Sequence, residues 1–265
     1  MFMILYGIIF FNMTPRESHP HLHRFDPAKN WQYLIIGTFP PNTALREKLY
    51  IDYFYGNKGS LWKIIHDIYH DRGYDFFSGT PQQNLAGIKR WQNDYCVGLS
   101  DTIVSCSRKH PMSSNDADLR NIAYNHDLKK YVLRRLPHIR KLIFTSTSGA
   151  NSAFKNFSII MGADLEKTRH LLVTGLPSPS GAGNITFFNT GKEETLGLTD
   201  DFFHFVSTQR PDVLPAFQQR WELKKVKRDA GGPKSGIVIP PSPAGVVTEF
   251  KLWKYREALP KNRCV

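Results

Sequence analysis

The stretch Tyr33-Leu34-Ile35-Ile36-Gly37-Thr38-Phe39-Pro40-Pro41 decides how this chain folds. Its apolar start reads as a buried strand. Gly37 ends the strand, and two prolines then impose a stiff loop, since each fixes φ and removes a backbone donor. In open α/β sheets, ligands bind in crevices at the carboxyl ends of strands. A second proline-studded loop, Leu176 to Asn184 (LPSPSGAGN), follows the strand-like run Leu171-Leu172-Val173-Thr174. Two such loops on one sheet can face each other across a cleft.

Around these loops the pattern alternates. A short helix is expected over Thr43–Tyr50, then the aromatic stretch Tyr53-Phe54-Tyr55-Gly56-Asn57. Leu61 to Tyr69 carries apolar residues at helical spacing and reads as an amphipathic helix, stopped by Gly73. Pro81 opens a helix to about Tyr95, and Val97 to Val104 reads as a strand broken by Ser100 and Asp101. Arg108 to Asn121 is a polar loop. A helix over Asp127–Leu136, a strand over Ile139–Thr145, a helix through about Phe157 and a strand over His170–Thr174 follow. Late helices are expected over Asp200–Ser207 and Asp212–Lys225. Strands alternating with helices imply a largely parallel sheet covered on both faces.

The chain has 265 residues and a formal net charge of +12. This length suits one sizeable α/β domain with tails. Excess Lys and Arg favours a polyanionic partner, nucleic acid above all, although solvated lysines give the same count. Residues 221–265 hold ten Lys/Arg and four Asp/Glu, a net +6, so half of the charge lies at the carboxyl end. There Gly231-Gly232-Pro233 and Pro240-Pro241 read as a linker, and Phe250 to Arg256 mixes aromatics with cations. That patch could dock on the core or contact nucleic acid. The expected organisation is an extension over 1–29, a domain over 30–225 and a basic tail over 226–265.

Cys96, Cys106 and Cys264 form no CxxC pair, which excludes a zinc ribbon and a four-cysteine cluster. An odd count without a signal peptide suggests a reducing, cytoplasmic setting. Met1 to Asn12 is too short to span a bilayer, and the true start is expected at Met3 or Met13. His19, His21 and His23 could bind metal, but such a cluster ahead of a domain is more often solvated.

The ordered set GTFPP (37–41), FYGNKGSLW (54–62), VGLSDTIVSCSR (97–108), LIFTSTSGA (142–150) and LPSPSGAGN (176–184) resembles the uracil-DNA glycosylase superfamily. It is closest to the mismatch-specific and hypoxanthine-DNA glycosylase branches. The resemblance covers roughly residues 30–210. It implies a three-layer α/β/α sandwich around a mainly parallel four-stranded sheet. It further implies a monomeric, cofactor-free and metal-independent repair enzyme, associated with the nucleoid. The expected activity is to flip a deaminated or mismatched base, uracil or hypoxanthine, out of DNA and hydrolyse its N-glycosidic bond. A catalytically weak or inactive DNA-binding module of the same fold is the alternative.

Site assignments follow from the resemblance and from side-chain chemistry. Phe39 could stack a base or serve as a core aromatic; Thr38 and Phe39 also offer backbone N–H groups. Tyr55 could wall the pocket, and Asn57 or Ser60 could position water. Asp101 interrupts an apolar strand, where an unpaired carboxylate is costly. It is the sharpest polar candidate, for catalysis and for base reading, with a structural role, capping a neighbouring loop or pairing with Arg108, as the competing reading. Pro40, Ser178, Pro179, Ser180 and Gly181 are expected to contact the DNA backbone. Many active members of the superfamily place Asp or Asn two residues after the loop glycine; here Phe39 stands there, as in the hypoxanthine-type branch. The two branches place Asn three residues before the Trp of the second block, where Gly59 stands.

Overall fold

The fold is built on β2 (Tyr33–Gly37), whose two neighbours both run parallel to it. The computed structural model describes residues 15–41, 51–56, 59, 61–110, 113–180, 184, 186–188 and 190–264. The helix expected over Thr43–Tyr50 lies outside them. β3 (Val97–Asp101), β6 (Lys141–Phe144) and β7 (Leu172–Val173) complete a four-stranded parallel sheet in the order β3-β2-β6-β7. A second sheet, antiparallel, joins β1 (Glu17–Ser18), β4 (Ile103–Arg108) and β5 (Leu119–Tyr124). The strand read over 97–104 is therefore two strands, split at Thr102, and part of the expected polar loop pairs with β4.

Alternation along β2 sends side chains to opposite faces. Ile35, with Leu99 and Ile143, meets α1 (Leu61–Tyr69) and α2 (Pro81–Asp94). Leu34 and Ile36, with Leu142 and Phe144, meet α3 (His126–Arg135) and α4 (Ala153–Met161). Helices on both faces make the three-layer α/β/α sandwich. α2 starts where Thr80 and Gln83 form a reciprocal capping box ahead of Pro81 at the first turn. Gly98 is required by packing, since a Cβ there would lie 2.7 Å from the Trp31 ring.

After α5 (Leu165–Thr168), the helices α6 (Asp200–Gln209), α7 (Leu214–Asp229) and α8 (Val246–Ala258) follow. They share an aromatic cluster that includes Phe202, Phe217 and Phe250. The aromatic and cationic tail patch is thus a docked helix. Tyr255 is fully buried in the first core, and Tyr69 donates to the Pro260 carbonyl at 2.5 Å. Cys96 and Cys264 form a disulfide that ties the chain end to the start of β3. The odd count concealed this pair, and two of the three cysteines are not thiols. No described helix is long and apolar enough to cross a membrane.

The stretch ahead of β2 is not a solvated tail. β1 pairs with β4, and His21 is 2 % exposed. Burial pushes its ring down to about 4, against the Asp52 carboxylate, which pulls it upward. The folded state therefore holds fewer protons than the unfolded chain between about pH 6.5 and 4. Stability contributed above the unfolded value should drain away as pH falls through this window. The urea midpoint is expected to drop between pH 6.5 and 4, and His21→Gln should flatten that drop.

Candidate functional site

The sheet order fixes where a cleft opens. From β2 the chain crosses to β3 on one side, and from β6 it crosses to β7 on the other. The carboxyl ends of β2 and β6 therefore flank a topological switch point, where connections diverge and leave a crevice. A cleft of about 1140 Å³ lies there. Its walls come from the loops after β2, β6 and β7, with Asp101 at the end of β3. Small-ligand sites usually occupy about 300–1,000 Å³. This one has room for a nucleobase and part of its backbone.

Thr38, Phe39, Pro40, Tyr55, Asp101 and the run Ser178-Pro179-Ser180 all line this cleft. Asn57, Ser60 and Gly181 lie outside the described residues. Phe39 is 9 % exposed and packs with Ile103, Cys106 and Leu119. The His19 ring meets it edge-on at 5.4 Å, and the Arg108 guanidinium lies over it at 5.6 Å. Phe39 is chiefly a core aromatic that shows an edge to the cleft. Arg108 does not pair with Asp101. It bonds Glu17 at 2.8 Å and the Pro40 carbonyl at 2.7 Å, which anchors the proline loop.

Asp101 is 5 % exposed. Its partner is His19, whose Nε2 donates to Oδ2 at 2.8 Å. The Asp101 backbone is held by Asn125, whose Nδ2 donates to the carbonyl at 2.9 Å. Next to it, Thr102 N and Oγ1 both donate to the Gly37 carbonyl. Tyr55 sits at φ 54, a region costly for a bulky residue, and its loop is braced from both sides. The Trp62 indole donates to the Phe54 carbonyl at 2.7 Å, and Gly56 N donates to the Tyr53 carbonyl at 3.1 Å. Trp62 is thus a core residue with a positioning task. The Tyr55 hydroxyl lies 3.3 Å from Thr145 Oγ1. Burial raises its ionisation well above the ordinary tyrosine range, so it enters the cleft as a protonated donor.

Asp116, read from sequence only as part of a polar loop, is the functional candidate that pattern alone missed. It lines the same cleft. Asn115 caps the turn that carries it, through a bond from Ala117 N, and Asn151 donates to the Asp116 carbonyl at 2.8 Å. Burial raises its carboxyl to about 6; a bond from Thr38 opposes this, and the Asp101 charge reinforces it. His19 was equally unmarked as a partner of Asp101, since nothing in a periodicity scan links positions 82 residues apart.

The second proline loop is held from behind by α8. Lys251 Nζ donates to the Ser180 carbonyl at 2.8 Å, and Tyr255 donates to the Pro177 carbonyl at 3.2 Å. The cleft itself is lined by carboxylates and hydroxyls, and no Lys or Arg lines it among the described residues. Asp200 and Asp201 at its edge pair with Lys192 and Lys254. No described group of three or more His, Cys, Asp or Glu could hold a metal ion. No family model, curated protein or solved structure matches this chain.

Gly37 is the pivot of this geometry. A Cβ at that position would collide with the Tyr55 hydroxyl and with Asp101 Oδ1. Gly37→Ala is expected to displace both groups and to cost about 1–3 kcal/mol, as overpacked sites do. The shift in denaturant midpoint reads the cost.

Proposed function

We propose that this chain is a DNA glycosylase, which removes an everted uracil or hypoxanthine by hydrolysing its N-glycosidic bond. The observation that carries this reading is the convergence of distant segments, from Thr38 to Phe250, on one cleft at the switch point of the sheet. The order of motifs and the α/β/α architecture support it as well.

The charge pattern suits this chemistry. As the N-glycosidic bond breaks, the sugar becomes cationic and the base departs with the bonding electron pair. Fixed carboxylates favour such a sugar, and their effect is strong where water is excluded. Asp101 supplies that negative charge. Asp116, with its carboxyl raised to about 6, is poised as the general base for the attacking water. The water oxygen bonds to C1′, its proton passes to Asp116, and the departing base later takes up a proton. Tyr55 walls the pocket with a neutral hydroxyl. Phosphates, which acids repel, are left to the rim. There Ser178 and Ser180 offer hydroxyls, and the hydroxyl-rich loop 145–149 leads to the amino end of α4. Action as a monomer on nucleoid DNA, in base-excision repair, belongs to the same proposal.

The test is a panel of duplex and single-stranded oligonucleotides carrying deoxyuridine or deoxyinosine, treated with alkali to reveal abasic sites. Base release is expected at micromolar enzyme. Salt-dependent binding to abasic or mismatched DNA with no release across the panel would favour the inactive binding module. That module is motivated by Phe39 and Gly59 at positions where catalytic polar groups are expected, Phe39 being packed against Ile103, Cys106 and Leu119.

Asp116→Asn should lower the single-turnover rate by about 10²–10⁴-fold, the usual worth of a positioned base. The wild-type rate should rise with pH through about 6, because the base form is the one that works, and the variant should lose that limb.

A further inference from the structure

The Asp101 carboxylate is asymmetric. Oδ2 is clamped by His19, whereas Oδ1 is buried and accepts no hydrogen bond among the described residues. A buried carboxylate oxygen without a partner is costly, so it marks a place where a ligand or reacting group completes the shell. Oδ1 lies against the bare Cα of Gly37 beside the Tyr55 hydroxyl, on the wall of the cleft.

His19 can bond Asp101 in one way only. Its Nδ1 accepts the backbone N–H of His21 at 3.0 Å and of Leu22 at 3.2 Å. Two hydrogens aimed at Nδ1 leave it no room for its own proton, so the ring proton resides on Nε2 and points at Oδ2. The imidazole is 1 % exposed and fixed between the Phe39 and Phe54 rings at 5.4 and 5.6 Å. Its backbone N–H donates to the Val104 carbonyl at 2.8 Å, which extends the β1–β4 ladder. The ring is thus locked by its turn, its strand and two aromatic neighbours.

We infer that His19 is a positioning residue of the proposed glycosylase. It donates Nε2–H to Oδ2 and so holds Oδ1 of Asp101 toward the reacting sugar. This rests on the glycosylase reading. Since His19 precedes the strand that opens the domain, a site residue comes from a segment that resembles an extension in sequence. The same geometry separates its two tasks, because Nδ1 serves the turn and Nε2 serves Asp101.

Two substitutions divide those tasks. In His19→Asn the amide oxygen replaces Nδ1 and still caps His21 and Leu22, but nothing reaches Asp101. In His19→Gln the amide nitrogen reaches the place of Nε2 and keeps the donor, while the turn loses its acceptor. On the substrate that the wild type processes best, kcat of His19→Asn is expected to fall about 10–100-fold, with KM for DNA changed less than about threefold. His19→Gln should retain kcat within about fivefold and lose more thermal stability than His19→Asn. In the Asp101→Asn background, His19→Asn should cost no further kcat.

Wild-type kcat in His19→Asn, or equal losses in both variants, would overturn the inference while leaving the glycosylase reading intact. A wild type that releases no base from any substrate overturns both. Should His19→Asn fail to fold, long-range ¹H–¹⁵N spectra of the wild type decide: a neutral ring protonated at Nε2 supports the inference, and protonation at Nδ1 ends it.

Discussion

Everything in the site depends on the register of the central strand. β2 pairs with β3 so that Gly37 stands opposite Asp101, and with β6 so that Ile36 stands opposite Phe144. Three strands therefore end at one level, and their loops leave together. The absence of a side chain at Gly37 lets a carboxylate and a phenol approach the strand end. A slip by one residue would send Ile35 and Ile36 to the wrong layers and turn Asp101 away from the cleft. Fold and site are thus fixed by the same pairing.

The second constraint is electrostatic. A chain of net charge +12 encloses a hollow that bears carboxylates and no described Lys or Arg. Uniform attraction for a polyanion would not produce this. Separation of the two charges does suit a reaction in which a cationic sugar forms inside while phosphates stay at the rim. The acids are graded by their neighbours. Asp200 and Asp201 are offset by lysines, Asp101 is held by the His19 ring, and burial pushes the Asp116 carboxyl up to about 6. Carboxylates held in such different settings can take different roles within one hollow.

The layered fold was legible in the sequence because its signals are local. A buried apolar run ending at Gly37, a proline at the start of the helix from Pro81 and helical spacing over Leu61–Tyr69 each act within a few residues. The two proline loops were legible for the same reason, and they do line one cleft. What stayed hidden was non-local. The splitting of residues 97–108 between two sheets depends on pairing with Glu17–Ser18 and with Leu119–Tyr124. The Cys96–Cys264 bond joins positions 168 residues apart. Phe39 reads equally well as a stacking ring or a core ring until Ile103, Cys106 and Leu119 are packed beneath it. Asp116 looks like any loop carboxylate until the fold sets it in the cleft wall.

Segments on both sides of residues 30–225 reach the site. The amino-terminal segment contributes the imidazole that holds Asp101. The carboxyl-terminal helix contributes Phe250 to the cleft wall and bonds the second proline loop through Lys251 and Tyr255. Burial lowers the Lys251 ammonium to about 8, with no carboxylate among the described residues offsetting it. A buried cation bonded to a loop carbonyl is an expensive way to fix a loop. Such a cost is tolerable only where the loop must keep one conformation, and a Pro-Ser-Pro-Ser run has few backbone donors with which to hold itself. The disulfide then ties the end of that helical segment to the sheet, so the far wall of the cleft is referenced to the strands that carry Gly37 and Asp101.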